Sequence, residues 1–268
     1  MSRTVNDVIQ YIDKLAPLET AMDWDNSGLL IGERDKPVQR ILVGLDCTDR
    51  TADEAVRLNA DMIITHHPLI FRPIASITAD TAIGRRIIKL IRSGISLFSA
   101  HTNLDMADGG VNDILFGILG LKEKSALMPP SSDEPGLGRV GVLAEPMRLD
   151  SFASYVGRRL NLEHTRYAGA PETVIYKTAL LGGSGSARKY FREAVSNGCQ
   201  AYITGDIKYH DAQEALDMGL CLIDATHYAS EAPAVDFLCG YLREGFPDIS
   251  IFAASFDKQM EGNFGYND

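Results

Sequence analysis

The strongest constraint on the fold is the alternation of short apolar runs with amphipathic helical segments along the 268-residue chain. Runs such as "RILVGLD" at 40–46 and "DMIIT" at 61–65 have the length and continuous apolar character of buried strands. Between such runs, apolar residues recur at helical spacing. Strands that alternate with helices form parallel or mixed sheets with helical crossovers, so the sequence predicts an α/β protein with mixed sheets.

The same patterns give the approximate bounds of the elements. Helices are predicted over 5–15, 52–58, 82–92, 110–119, 187–197, 211–218 and 232–242. Further strands are predicted at 95–100, 139–146, 174–183, 200–206, 220–227 and 249–255. Proline, serine, glycine and charge interrupt the pattern in "KEKSALMPPSSDEPGLG" at 122–138. We therefore expect an N-terminal lobe over 1–124, a connection over 125–138 and a C-terminal lobe over 139–268, within one intertwined domain.

The two lobes also share a local pattern. "EAVRLNADMIITHH" from Glu54 and "EAVSNGCQAYITGD" from Glu193 align at Glu-Ala-Val and again at Ile-Thr. A duplicated helix–strand–helix–strand unit with pseudo-twofold symmetry would explain this likeness. A chance likeness between two βαβ units is the alternative, because alanine and isoleucine are common at such positions.

Composition limits the function classes. A formal charge of −10 argues against nonspecific nucleic-acid binding, which needs a basic surface. The four cysteines are widely separated among apolar residues, which favours buried thiols in a reducing compartment. The N-terminal segment mixes charges into its apolar pattern, unlike a signal peptide. We therefore expect a cytoplasmic protein with no membrane segment.

Three predicted strands end in metal-ligand residue types. His66 and His67 end the first, where Pro68 favours departure of the backbone from the strand, so that both imidazoles can converge. The other two ends pair a histidine with a carboxylate four residues later, as His101 with Asp105 and His227 with Glu231. Taken singly, each is better explained as a hydrogen-bonded histidine or a helix-capping Asp. Taken together, they predict a site for zinc, iron, manganese or cobalt.

Three weaker signals remain open. The "GGSGSARK" loop at 182–189 could bind phosphate through backbone amides, although a tight strand-to-helix turn is the favoured interpretation. "WDNSG" contains the only tryptophan, Trp24, which we expect to pack in the core or between lobes rather than stack on a base, with a position at the rim of a site as the alternative. The segment "TGDIKYHD" aligns with the double histidine. Its candidate substrate-binding or ligand-supporting residues are Asp206, Lys208, Tyr209 and His210, with a surface loop as the alternative.

Several motifs together resemble one known family. "TAMDWDNSGLLIGE", "IITHHPLIF", "SAHTNLDMADGGVNDIL", "AYITGDIKYHDA" and "DATHYASE" resemble the NIF-three-like dinuclear metal family, known as GTP cyclohydrolase I type 2 homologues. The resemblance runs from near residue 3 to past residue 255. It implies a homohexamer without the additional central domain of longer members. It also implies two divalent ions in the cleft between the lobes.

The resemblance further suggests how the ligands divide between the ions. His67 and Asp105 would hold one ion, with His101 completing or adjoining that site. His66 and His227 would hold the other, and Glu231 would bridge both ions. The double histidine would then be divided between two metals.

The expected activity is that of a dinuclear metal-dependent hydrolase of the GTP cyclohydrolase type 2-like kind. A metal-bound hydroxide would attack a purine nucleotide ring or a related substrate, and Glu231 would belong to the reactive centre. A metal-dependent phosphodiesterase would use the same ligands. A metal-binding regulatory or scaffold oligomer with weak catalysis would also retain them. The ligands alone do not choose among these alternatives.

Overall fold

A computed structural model describes residues 2–128 and 136–255. The chain divides into two compact units. Unit 1 contains the residues up to Asp108 together with those from Ala234 onward, and unit 2 contains Gly109–Pro233. These units differ from the lobes expected above, because the expected connection at 125–138 falls inside unit 2. Positions 129–135 of that connection lie outside the described residues.

The elements follow one another in three stretches. Unit 1 begins with α1 (Val5–Leu15), β1 (Gly28–Ile31), β2 (Arg40–Gly44), α2 (Asp49–Arg57), β3 (Met62–Thr65), α3 (Ala82–Arg92), β4 (Ser96–Ser99) and α4 (Thr102–Met106). Unit 2 contains α5 (Val111–Ile118), β5 (Lys122–Met128), β6 (Leu137–Arg148), α6 (Leu149–Arg159), β7 (Arg166–Ala168), β8 (Val174–Leu180), α7 (Arg188–Ser196), β9 (Ala201–Thr204), α8 (Tyr209–Asp217), β10 (Cys221–Asp224) and α9 (His227–Glu231). The chain returns to unit 1 with α10 (Pro233–Gly245) and β11 (Ser250–Ala253).

The sheet of unit 1 has the strand order β1-β4-β3-β2-β11. Its last four strands are parallel, and β1 runs antiparallel to β4. Leu42, Ile63 and Leu97 on adjacent parallel strands are fully buried in one apolar cluster with α2 and α3. The predicted α/β architecture with mixed sheets is confirmed. The carboxyl ends of β2, β3 and β4 meet at one edge, which is where ligand residues gather in such sheets.

The sheet of unit 2 has the order β5-β6-β8-β9-β10-β7. Its strands β8, β9 and β10 are parallel, and the edge strand β7 runs antiparallel to β10. The set β8, β9, β10, β7 therefore repeats the order of β2, β3, β4, β1 in unit 1. The two aligned sequence segments occupy equivalent strands in this repeat. The pseudo-twofold relation between the units stays a prediction.

Sequence patterns misassigned two regions. The described residues on both sides of positions 129–135 form strands, in which β5 pairs antiparallel with β6. The first four residues of β5 conceal the strand pattern, because β5 is an edge strand and these residues are exposed on both faces. The last strand pairs with β2 of unit 1 and does not complete the second lobe as expected. Its local sequence carries no information about which sheet it joins.

Two further findings concern the cysteines and the lengths of the helices. The four cysteines are buried free thiols, as predicted. In the segments 2–128 and 136–255, no helix combines the length and the apolar character needed to cross a bilayer.

Hydrogen bonds to Asp113 connect strands β5 and β6 of unit 2 to α5, and they are sensitive to acid. Asp113 accepts hydrogen bonds from the Gly109 amide and Lys124, at 2.8 and 2.7 Å, and from the buried guanidinium of Arg139. Burial raises the pKa of Asp113, but these hydrogen bonds outweigh it and lower the pKa from its ordinary value of 3.8. The stabilisation of the folded state by these hydrogen bonds is therefore fully present above the ordinary pKa of 3.8. It is lost as the pH falls through the lowered pKa that Asp113 has in the folded protein.

We expect Asp113→Asn to reduce the free energy of unfolding at neutral pH by about 2 kcal/mol, because the charged acceptor is lost. Below about pH 4 the difference in unfolding free energy between the variant and the wild type should shrink, because the wild-type carboxylate then also loses its charge by protonation. Urea unfolding at several pH values measures both effects. Asp217→Asn, on the exposed face of α8, is the control. A pH-independent difference would contradict the account.

Candidate metal site

The candidate ligands of unit 1 lie where β3 and β4 end. Strand β3 ends at Thr65, and the Thr65 hydroxyl donates to the His67 carbonyl at 2.8 Å. This local turn removes the strict alternation of side chains that a continuing strand would impose. The rings of His66 and His67 consequently lie close together, with their centroids 5.0 Å apart. The predicted departure of the backbone from the strand is confirmed.

Three histidines of unit 1 could hold a metal ion together. His66, His67 and His101 each offer a ring nitrogen, and these atoms lie within 4.8 Å of one another. The Nε2 atom of His66 lies 3.5 Å from Asp105 Oδ1 on the short helix α4. This contact places Asp105 beside His66, whereas the resemblance assigned Asp105 to the ion held by His67.

Each of these histidines is oriented through its Nδ1 atom. The Nδ1 of His66 donates to the Ala100 carbonyl at 2.9 Å. The Nδ1 atoms of His67 and His101 donate to Asp46 and Asp25, at 2.9 and 2.7 Å. Carbonyl and carboxylate oxygens only accept hydrogen bonds, so the ring proton lies on Nδ1 and the lone pair lies on Nε2. This is the tautomer and the supporting contact typical of metal-ligating histidines.

Asp25 forms the most extensive of these supports. One oxygen accepts from His101, and the other accepts from the Thr102 amide, the Thr102 hydroxyl and the Ser27 hydroxyl, at 3.1, 2.6 and 2.8 Å. Burial raises the pKa of Asp25, but the hydrogen bonds from His101, Thr102 and Ser27 outweigh it and hold the pKa well below its ordinary value. A permanent carboxylate therefore fixes the ring of His101.

Unit 2 contains the second candidate pair. His227 and Glu231 occupy the first and last positions of α9, and His227 Nε2 lies 3.1 Å from Glu231 Oε2. The predicted helical turn after the strand thus brings both side chains to one face. The Nδ1 of His227 donates to Asp206 at 2.8 Å, which repeats the pattern of unit 1. Asp206, suggested from sequence as a supporting residue, makes that contact.

The backbone around this pair is strained and closely packed. Asp206 and Thr226 both have φ of +55°, a conformation that costs non-glycine residues about 1–3 kcal/mol. Gly183 approaches so closely that an added Cβ would overlap Glu231 Oε1. The Gly183 amide donates to the Ser230 hydroxyl at 2.9 Å, which fixes the loop against α9. The segment therefore leaves no room for a side chain at Gly183 beside the Glu231 carboxylate.

The other sequence-predicted residues near Asp206 belong to α8. The Lys208 amide donates to Asp211, and His210 contacts Gln213 at 3.0 Å. The Tyr209 side chain is 73% exposed, and its hydroxyl accepts from Gln213. These contacts fit the alternative interpretation, in which the segment is a surface loop that leads into the start of a helix. A substrate-binding role for Lys208, Tyr209 and His210 stays a prediction.

The glycine-rich loop at 182–189 is a structural turn. The amides of Gly182, Gly183 and Gly185 donate to the side chains of Asn112, Ser230 and Thr204, at 3.0, 2.9 and 3.0 Å. A phosphate cradle would need these amide groups for the ligand. The structure thus favours the steric interpretation of the glycines.

The core position expected for Trp24 is wrong, and two supporting carboxylates were missed. Trp24 is 60% exposed and not part of the core. Asp46 follows β2 as the histidines follow β3, so the strand-end argument could have found it. Asp25 precedes β1, whose first residue, Gly28, pairs with Ser99 at the end of β4. That antiparallel pairing places Asp25 beside His101, but a single sequence does not reveal it.

Fold and site together define an α/β protein with histidine and carboxylate groups that could hold metal. The chain belongs to the Duf34/NIF3 (NGG1p interacting factor 3) family, whose model matches residues 3–259. It is 41% identical over 233 residues to a Clostridium perfringens protein named GTP cyclohydrolase 1 type 2 homolog, covering 86% of this chain and 88% of the relative. A relative of the same name from Streptomyces coelicolor is 40% identical, with 85% and 82% covered.

Solved structures agree with this assignment. A Bacillus cereus protein related to NIF3 superposes with a TM-score of 0.89 at 27% identity, covering 95% of this chain and 97% of that one. A Staphylococcus aureus hypothetical protein gives 0.88 at 31% identity, covering 99% and 100%. Reduced HcgD from Methanocaldococcus jannaschii gives 0.82 at 27% identity, covering 96% and 99%.

The support that Asp25 gives to His101 can be tested by metal affinity. We expect Asp25→Asn to weaken binding of Co²⁺ or Zn²⁺ by roughly 10- to 100-fold, because the ring of His101 loses its charged acceptor. Isothermal titration of metal-depleted protein measures the change. Asp23→Asn, an exposed residue two positions earlier, should bind as the wild type does. Equal affinity in both variants would contradict the supporting role.

The close approach of Gly183 gives a second test. We expect Gly183→Ala to displace the Glu231 carboxylate and to lower the metal content of the purified protein. Gly198→Ala is a matched control, because Gly198 has φ of +72° against +68° for Gly183, but its added Cβ would meet nothing within 4 Å. Both variants should lose about 1 kcal/mol of stability through the left-handed backbone. Only Gly183→Ala should lose metal, as elemental analysis would show. An equal metal loss in both would refute the specific contact.

Proposed function

We propose that this protein is a metal-dependent hydrolase whose centre binds two divalent ions through the ligands of both units. The observation that carries the proposal is the common orientation of the candidate ligand histidines. In His66, His67, His101 and His227, Nδ1 donates to a protein acceptor and Nε2 carries the lone pair. This orientation directs the ligand-type nitrogen of each ring away from its supporting contact, so that it can serve a metal ion.

The number of donors supports two ions rather than one. Catalytic zinc sites commonly use three protein ligands and leave one position for water. Unit 1 supplies His66, His67, His101 and Asp105, and unit 2 supplies His227 and Glu231. Pooled, these six residues suffice for two such sites, whereas His227 and Glu231 alone are too few for one. Imidazole with carboxylate suits zinc, iron, manganese or cobalt.

The contacts within unit 1 suggest how the ligands divide. Because Asp105 lies beside His66, we assign these two residues to one ion. His67 and His227 would then serve the other ion, with Glu231 bridging both and His101 completing the ligand set. This keeps the double histidine divided between two metals and exchanges the partners that the resemblance suggested.

Glu231 is the residue we propose to act in the reaction. When bound, the ions would acidify a water molecule and stabilise the negative charge that develops on oxygen. The Glu231 side chain is only 5% exposed, so its carboxylate acts in a site largely screened from bulk water. There its negative charge would hold the two ions side by side at the reacting groups. The loop at Gly183 and the strained residues Asp206 and Thr226 hold the Glu231–His227 pair in place.

The names of the relatives support a nucleotide substrate. Relatives at 40–41% identity are named GTP cyclohydrolase 1 type 2 homolog, so opening of a purine nucleotide ring is the first activity to test. Phosphoester hydrolysis would use the same residues and is the second. The homohexamer implied by the resemblance stays a prediction that sedimentation velocity can check.

Turnover by a Glu231→Gln variant tests the catalytic proposal. Metal-reconstituted wild type should convert GTP or a phosphodiester, and the variant should lose at least about a hundredfold in kcat, because the charged ligand shared by the two ions is lost. Glu244→Gln, at an exposed position of α10, is the control and should keep full activity. A Glu231→Gln variant that changes only metal content or melting temperature would instead support the regulatory or scaffold alternative.

A further inference from the structure

Two exposed aromatic side chains lie beside the candidate ligands of unit 1. Trp24 is 60% exposed and Phe71 is 44% exposed. Their ring centroids are 5.9 Å apart, and the ring planes are inclined by 70°. Large aromatic residues with so much exposed surface often mark a place where a ligand or a partner binds.

The pair is held on the same framework as the histidines. Both rings contact His101 edge to face, with centroid distances of 6.4 Å from Trp24 and 6.1 Å from Phe71. Asp25, next to Trp24, orients His101, and the Asn26 side chain donates to the Ile70 carbonyl next to Phe71. The segments that carry the two aromatics are thus tied to each other and to a candidate metal ligand.

We propose that Trp24 and Phe71 form a stacking site for the planar ring of a heteroaromatic substrate, such as a purine. This inference rests on the proposed function and specifies the substrate class of that centre. An aromatic side chain can stack on any base, because every base has a π-face, and such contacts contribute substantially to binding. The contact of both rings with His101 would hold the base next to the reacting groups. An exposed patch used only between subunits would not require that connection to a metal ligand.

The site should recognise the ring more than the phosphates. The contact that we propose is with the π-face of the base. A nucleoside should therefore retain much of the affinity of its nucleotide, whereas a sugar phosphate without a base should bind poorly.

Trp24 provides its own reporter, because it is the only tryptophan in the sequence. We would titrate the full-length protein, metal-depleted and metal-loaded, with guanosine, GTP, ribose 5-phosphate and inorganic triphosphate. Guanosine and GTP should quench the fluorescence with saturation, and the two ring-free compounds should not. Free N-acetyltryptophanamide corrects for absorption by the nucleotides. Phe71→Leu should raise the dissociation constant for guanosine about tenfold.

Tyr176→Leu is the matched control, because Tyr176 is 56% exposed on β8 of unit 2 and should not affect binding. Absence of saturable quenching by guanosine, or equal quenching by triphosphate, would overturn the inference. So would a Phe71→Leu variant that binds guanosine normally. If guanosine does not quench and Phe71→Leu changes the sedimentation coefficient, the pair is an interface between copies of the chain.

The two proposals fail in distinguishable ways. Saturable quenching by guanosine without turnover of any tested substrate would refute the hydrolase proposal and leave the stacking site intact. Turnover of a phosphodiester without quenching would refute the stacking site alone. Metal loading is measured separately by elemental analysis, so a lack of metal cannot be mistaken for either outcome.

Discussion

The hydrogen bond from each ligand-type imidazole to a protein acceptor is the interaction on which the candidate site depends. It fixes the ring proton on Nδ1 in His66, His67, His101 and His227 and leaves the lone pair on Nε2. Three of the acceptors are carboxylates, which also make the ring a stronger donor to a cation. Without these contacts each imidazole could rotate or change tautomer, and a shared site would have no defined geometry.

The sheets supply those acceptors through a simple rule of position. Neighbouring parallel strands end at one edge, so Asp46 after β2 reaches His67 after β3, and Asp206 after β9 reaches His227 after β10. Each unit therefore supports its histidine in the same way, in keeping with the repeated strand order. The surrounding packing stabilises the strained backbone of Asp206 and Thr226 and the close approach of Gly183 to Glu231.

The sequence predicted what depends on local pattern. The apolar runs located β3 and β4, and helical spacing located α3 at Ala82–Arg92. His66, His67, His101, Asp105, His227 and Glu231 were found because all follow such runs. The features that the sequence did not predict depend on pairing between distant segments. Asp25 lies 76 positions from His101, which it supports, and β11 joins the sheet of unit 1. The exposure of the first residues of β5 and of Trp24 depends on what covers each surface, which a local pattern does not encode.

The central claim is that the ligands of both units bind two divalent ions. Elemental analysis of the metal content tests this claim most directly. The protein is purified without chelator or affinity metal and is then reconstituted with Mn, Fe, Zn or Co. His101→Ala and His227→Ala are measured beside the wild type. We expect about two ions per chain in the wild type, from the usual three protein ligands of a catalytic site, and a fall toward one in His227→Ala. A wild-type chain that takes up none of these metals, or an unchanged content in His227→Ala, would contradict the claim.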